Sequence, residues 1–133
     1  MIQYTSEINN LSTLNLQGFF VGWPTPPNED AFIKILRGSY KVILAHDDSK
    51  LVGFITAISD GVLSAYIPLL EVLSEYQGQG IGRQLVASMK SELSELYMVD
   101  LLCDEALIPF YQQQGMSKAQ GACLRNYSRQ SGE

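Results

Sequence analysis

The hydrophobic positions along this chain change their period several times, and each change predicts an element. Ile2 to Thr5 reads as a short first strand. From Asn9 to Phe20 the pattern is weak, with Leu11, Leu14 and Leu16 suggesting a short helix. Gly22-Trp23-Pro24-Thr25-Pro26-Pro27 is a loop, because its three prolines fix φ and remove N–H donors. Asn28 is placed to cap a helix through Ala31, Phe32, Ile35 and Leu36. Glu29 and Asp30 fall in its first turn, where acid is favoured, and Gly38 ends it. Tyr40 to Ala45 and Lys50 to Ser59 are two β-rich runs flanking a polar Asp47-Asp48-Ser49 turn, which predicts a hairpin. Asp60-Gly61 signals another turn. Leu63 to Leu73 is then apolar almost throughout, the mark of a central strand covered on both faces. Pro68 interrupts it. Proline cannot donate to a ladder, so a bulge or a splayed edge is expected there.

Ile81, Leu85, Met89, Leu93 and Leu96 mark one face of a long helix. Tyr97 to Cys103 reads as a buried strand. Asp104 is placed to cap a helix from Glu105 to Gln114, closed by Gly115, with Pro109 delaying its start. Cys123 to Arg129 reads as a closing strand. Antiparallel strands come first and a βαβ crossover comes later. The predicted class is therefore α/β (α+β): one central mixed sheet with helices on both faces, in a single domain over residues 1–133.

Composition narrows the function only a little. The formal charge of −5 argues against a nucleic-acid binder and mildly favours cationic small molecules. No apolar run approaches a membrane span. Met1 opens directly into Ile-Gln-Tyr-Thr with neither a basic nor an apolar leader, so a cytoplasmic protein is expected. Cys103 and Cys123 lack metal spacing and read as free thiols. His46 is the only histidine and sits in a polar turn, so no zinc site of the histidine-rich kind is expected, and no metal at all.

The chemistry gathers at Gln77-Gly78-Gln79-Gly80-Ile81-Gly82-Arg83. Three glycines at alternate positions strip side chains from the backbone just where a helix begins. The first amides of a helix are unpaired and carry the positive end of its dipole, which suits a phosphate or pyrophosphate. A dinucleotide fold is the nearest rival, but Arg83 stands where its third glycine is required, and the turn follows a late strand. A P-loop is excluded, since no Gly-Lys-Ser/Thr follows. A glycine turn that starts a helix and binds nothing is the plain alternative.

Val72-Leu-Ser-Glu-Tyr-Gln77-Gly-Gln-Gly80-Ile-Gly82 resembles the coenzyme-A motif of the GCN5-related N-acetyltransferase (GNAT) superfamily, Gln/Arg-x-x-Gly-x-Gly/Ala after a strand ending in Val. Asp104-Glu-Ala106-Leu-Ile-Pro-Phe110-Tyr111-Gln-Gln-Gln-Gly115 is similar to that family's second motif. Met116 replaces the aromatic that usually follows the glycine. Gly22-Trp23-Pro24, Ser39-Tyr40 and Ser59-Asp60 further resemble the small single-domain branch that includes plastid-type arylalkylamine acetyltransferases. Leu69 stands where that branch carries an acid.

The resemblance implies an acetyl-CoA-dependent N-acetyltransferase acting on a primary amine of a small molecule or peptide, with a non-catalytic acyl-CoA sensor as the alternative. It implies that main-chain groups of Leu70 and Val72 pair with the pantetheine. The amides of Gln77, Gly78, Gln79, Gly80, Ile81, Gly82 and Arg83 then hold the pyrophosphate, and Asp104 and Phe110 border the cofactor. Tyr111 is implied as the acid that protonates the leaving thiolate, its phenol neutral with a reference pKa of about 10. Glu71 is the candidate base, although family bases stand an even number of residues before the Val and Glu71 stands one before. Tyr66 occupies an even position. Asp60 and Asp100 are lesser candidates. Trp23 either plugs the core edge or, with Tyr66, lines the acceptor pocket. A homodimer is also an expectation, since dimers are common in the family.

Overall fold

A computed structural model describes residues 1–133. Five strands form one sheet in the order β1-β2-β3-β4-β5: β1 (Ile2–Thr5), β2 (Lys41–Asp47), β3 (Lys50–Ser59), β4 (Ser64–Val72) and β5 (Met98–Asp100). The first three pairings are antiparallel and β4–β5 is parallel, the two strands joined through helix α2 (Ile81–Glu92). This is the mixed sheet with one crossover that the sequence predicts.

The alternation of each strand sends apolar side chains to both faces, and a core forms on each. On one face α1 (Glu29–Gly38) lays Phe32 and Leu36 over Val42, Leu44, Leu51 and Phe54. Asn28 caps α1 as expected: its side-chain oxygen accepts from the Ala31 amide at 2.9 Å. Leu11, in a single 3₁₀ turn at Leu11–Thr13, and Leu16 just after it complete this core; that turn is the only helical structure in the weak Asn9–Phe20 pattern. On the other face Ile81, Leu85, Val86 and Met89 of α2 pack on Ile43, Val52, Ile55, Ala65 and Ile67. Gly53 permits that close approach. A Cβ there would meet Leu85, Ile81 and the Glu71 carbonyl at 3.2–3.3 Å. No helix is long and apolar enough to cross a membrane.

Four expectations change. Residues Tyr97 to Cys103 are not a buried strand; only Met98–Asp100 pair, at the sheet edge, and Tyr97 is exposed. β4 is not covered on both faces, because only Ala65 and Ile67 are buried in it. Cys123 to Arg129 forms no strand. It runs exposed into a 3₁₀ turn at Tyr127–Arg129, because no neighbouring strand pairs with it. The helix expected from Asp104 also divides. A 3₁₀ turn, Glu105–Leu107, precedes α3 (Ile108–Gln113), with Pro109 in its first turn, and Asp104 contributes its carbonyl and not a side-chain cap.

Candidate active site between two diverging strands

The parallel pairing of β4 with β5 covers only Ser64–Tyr66 and Met98–Asp100. Beyond it the strands diverge, and Ile67–Val72 have no neighbour on that side. The Leu73 amide donates to the Val52 carbonyl at 2.8 Å. In an antiparallel ladder the bonded positions alternate, so Leu69 and Glu71 face β3 while Leu70 and Val72 turn their main-chain groups to the gap. The Val72 carbonyl is met there by Gln77 Nε2, which donates at 3.0 Å and braces the following turn.

The bulge expected at Pro68 is present. Thr56 pairs with Leu69 but Ile58 pairs with Tyr66, so Ile67 and Pro68 together oppose Ala57. It lies four residues before Val72, so divergence of the strands, not the bulge itself, bares the Val72 amide. The bulge does something else. It inverts the alternation, placing Tyr66 and Glu71, which differ in parity, on the same α1-side face. Phe54, the cross-strand partner of Glu71, belongs to the α1-side core, and Ile58 pairs with Tyr66 on that face.

After β4 the chain makes a 3₁₀ turn, Ser74–Tyr76, tied to the β2–β3 hairpin by the Tyr76 hydroxyl, which donates to Asp47 Oδ2 at 3.0 Å. Gly78 and Gly80 then take positive φ, 80° and 83°. The amides of Gly78, Gln79, Gly80, Ile81, Gly82 and Arg83 find no acceptor in the protein; the first helical bond runs from the Gln84 amide to the Gly80 carbonyl at 3.0 Å. A Cβ on Gly78 or Gly80 would meet nothing within 4 Å, so both glycines stand clear of other protein atoms on their Cβ side. Arg83 is exposed at the third helical position and makes no ion pair. The positions fit a diphosphate: unpartnered donors in sequence, at a helix start, beside an open cation.

On the α2 side of the gap, α3 brings up Phe110 and Tyr111, rings 5.0 Å apart and edge to face. Both pack against the α2-side core. Phe110 lies next to the cradle, since a Cβ on Gly82 would stand 3.7 Å from its ring and 3.9 Å from Val72. Burial first, then charge on the Cys103 side chain three residues past β5, push the Tyr111 phenol up to about 12. Asp104 is exposed just beyond Cys103.

The α1 side of the gap is bare, because α1 covers β2 and β3 and stops short of β4 and β5. On the same face, over the paired Ser64–Tyr66 and Met98–Asp100 where the gap has not yet opened, lies a pocket of about 490 Å³ lined by Tyr66, Ile58, Met98, Asp60 and Asp100 among others. Asp60 anchors the turn: its Oδ1 accepts from the amides of Val62, Leu63 and Ser64, and the Leu63 bond foremost holds its carboxyl below the usual range. Glu71 is engaged too. Its Oε1 accepts from the Phe20 amide at 2.9 Å and its Oε2 from the Val21 amide at 3.3 Å. Nothing local in the sequence announces those bonds; the only sign is a pair of glycines, Gly18 and Gly22, bracketing Phe20. Trp23 is 38% exposed and meets the Phe20 ring edge to face at 5.0 Å, so it borders the core and solvent at once. A larger groove of about 800 Å³ beside β1, with His46 in its wall, shares no residue with these.

These features are those of a GNAT-type fold, and comparison with known proteins places the chain. The family model described as "Acetyltransferase (GNAT) domain" matches residues 23–129, and the chain belongs to that family. A crystal structure of a candidate acetyltransferase from Deinococcus radiodurans R1 superposes with a TM-score of 0.91 at 39% identity, covering 98% of this chain and 92% of that one. A GNAT family protein from Streptococcus pneumoniae TIGR4 gives 0.76 at 28% identity, covering 95% and 98%. The chain is also 30% identical to the chloroplastic GCN5-related N-acetyltransferase 2 of Arabidopsis thaliana, over 83% of this chain and 52% of that protein, so it spans about half the length of that relative.

Proposed function

We propose that this protein transfers an acetyl group from acetyl-CoA to a primary amine by direct attack. The observation that carries the reading is the run of unpartnered amides from Gly78 to Arg83, in line with the open edge of β4 at Leu70 and Val72. A diphosphate on the first leads a pantetheine along the second, much as an added strand pairs with a sheet edge. The naming of the Arabidopsis relative as an N-acetyltransferase supports nitrogen as the acceptor atom.

In that geometry the amine enters from the bare α1 side, over Tyr66, and Trp23 contributes to the acceptor wall. Its lone pair attacks the thioester carbon; the carbon–sulfur bond breaks and the thiolate leaves. Charge gathering on the carbonyl oxygen meets the Val72 amide, which points into the gap. Tyr111, on the opposite side, gives its proton to the departing sulfur. The amine's proton leaves through water toward Glu71, whose oxygens each keep a second lone pair beside their loop bond.

Calorimetry with acetyl-CoA and a thiol-release assay on a panel of amines test this. Binding in the micromolar range with release on at least one amine is expected. No binding at high micromolar acetyl-CoA overturns the reading, and binding without release on any amine favours the sensor.

A further inference from the structure

We propose that Glu71 is a positioning residue for the acceptor side: its carboxylate latches the loop from Gly18 to Trp23 in a left-handed conformation that fixes where Trp23 stands. This rests on the acceptor side of the reading above and goes beyond the proton relay assigned to Glu71 there.

The loop is under local strain. Gly18, Phe20 and Gly22 all take positive φ, 98°, 62° and 83°. Glycine adopts such values freely, but for a bulky residue such as phenylalanine they are a true outlier. A residue held there needs surroundings that over-determine it. Phe20 has two such restraints. Its ring is 5% exposed and packs edge to face on Phe32 at 5.1 Å and on Trp23 at 5.0 Å. Its amide, with that of Val21, points into the Glu71 carboxylate. Two successive amides converging on one anion form a small nest, and bonds to a carboxylate are stronger than neutral ones. The Trp23 amide then donates to the Phe20 carbonyl at 3.1 Å, so the indole's position follows from that of Phe20.

Place in the fold separates this latch from an ordinary loop bond. Glu71 stands between Leu70 and Val72, whose main-chain groups face the open gap. Its own main chain faces β3 and its side chain faces the loop. One residue thereby joins the edge that receives the thioester to the loop that bears Trp23, across fifty residues of sequence. The bulge at Ile67–Pro68 is what turns this side chain to the loop's side of the sheet.

The latch is testable in the protein alone, with no ligand. Trp23 is the only tryptophan, so its emission and its quenching by acrylamide report this loop specifically. Glu71→Ala removes both bonds. Amide exchange at residues 19–22 is expected to rise about tenfold, and Trp23 to become more readily quenched. Glu71→Gln keeps one acceptor oxygen and is expected to fall between. Unchanged exchange and quenching in Glu71→Ala overturn the proposal. Should Glu71→Ala fail to fold, the wild-type protein decides. A scalar coupling across the hydrogen bond, from the Phe20 nitrogen to the Glu71 carboxyl carbon, is expected in NMR spectra, and its absence overturns the latch. With an acceptor in hand, Glu71→Gln is expected to raise the acceptor KM about tenfold while acetyl-CoA affinity by calorimetry moves less than twofold; an unchanged acceptor KM overturns the positioning role. A protein that shows the coupling yet binds no acetyl-CoA keeps the latch and loses the transferase reading.

Discussion

Tyr111 shows how one side chain's surroundings select its chemistry. Partial burial against the α2-side core and charge on the neighbouring Cys103 side chain disfavour its phenolate, moving the phenol from its usual 10 up to about 12. A group so placed stays protonated through the pH range in which an alkylamine, with a pKa of about 10, becomes neutral and nucleophilic. A phenol held protonated in this way suits the proposed role of proton donor and not that of base. Tyr111→Phe keeps the edge-to-face contact with Phe110 and removes only the hydroxyl. Turnover is expected to fall about tenfold to a hundredfold with acetyl-CoA affinity nearly unchanged, checked by thiol release beside calorimetry. Undiminished turnover removes Tyr111 from the acid role. The same shift makes a statement about stability. Because the folded-state value is raised, the contribution is whole below pH 10, where folded and unfolded tyrosine are both protonated. It is lost as pH climbs from 10 through 12, where the unfolded chain ionises first. Urea midpoints measured between pH 9 and 12 are expected to fall more steeply for the wild type than for Tyr111→Phe.

At the scale of elements, the site is made where two regular elements stop being regular. β4 loses its parallel neighbour after Tyr66, and α2 begins on a left-handed glycine with six unbonded amides, Gly78 to Arg83, spanning its start. Gly80→Val tests that second feature. A β-branched residue at φ 83° costs about 1–2 kcal/mol of stability, and its side chain fills space that is now open beside the cradle. Acetyl-CoA binding is expected to be lost in calorimetry. Gly132→Ala, at φ 81° near Ala31 and far from the cradle, carries comparable backbone strain and is expected to bind normally. Equal loss in both variants points to strain and not to the cradle. These elements were legible in the sequence for specific reasons. The Asn28 cap, the Asp47–Lys50 turn, the apolar face of α2 and the glycine turn are each written within a dozen residues, and Pro68 announced the bulge. The position of Glu71 was not, since parity along β4 gives the wrong face unless the bulge is counted, and its partners lie fifty residues away. The closing strand failed for a related reason. Cys123 to Arg129 has strand-like composition, but a strand exists only by pairing, and no pattern within the segment supplies a neighbour.

Across the whole molecule the packing is unequal. No residue after Leu93 is buried, so the first four strands, α1 and α2 hold the fold while the edge strand β5, α3 and the C-terminal segment add to it from outside. α3 is secured by the ring contacts of Phe110 and Tyr111 and by Lys90, which donates to the Gln114 carbonyl at its end. The far terminus is secured at α1, where the Thr25 amide donates to Gln130 and Asn28 to Glu133. Between those moorings, residues 117–125 are exposed and make no backbone hydrogen bond with any other part of the chain. A protease needs an extended, unbonded stretch of main chain, and the free energy of local opening sets how often it finds one. Here no opening is required. Lys118 keeps only a 4.0 Å ion pair with Glu105, and Arg125 bonds only its neighbour's carbonyl. Limited trypsin digestion followed by mass spectrometry is expected to cut after Lys118 and Arg125 well before Lys41 or Lys50, whose strands must first leave the sheet. First cuts in β2 or β3, or equal rates at all four sites, contradict this account of the packing. Because the cradle lies wholly in the turn between β4 and α2 and in the first turn of α2, on the firm side of Tyr111, a chain nicked after Lys118 is expected to keep acetyl-CoA affinity there.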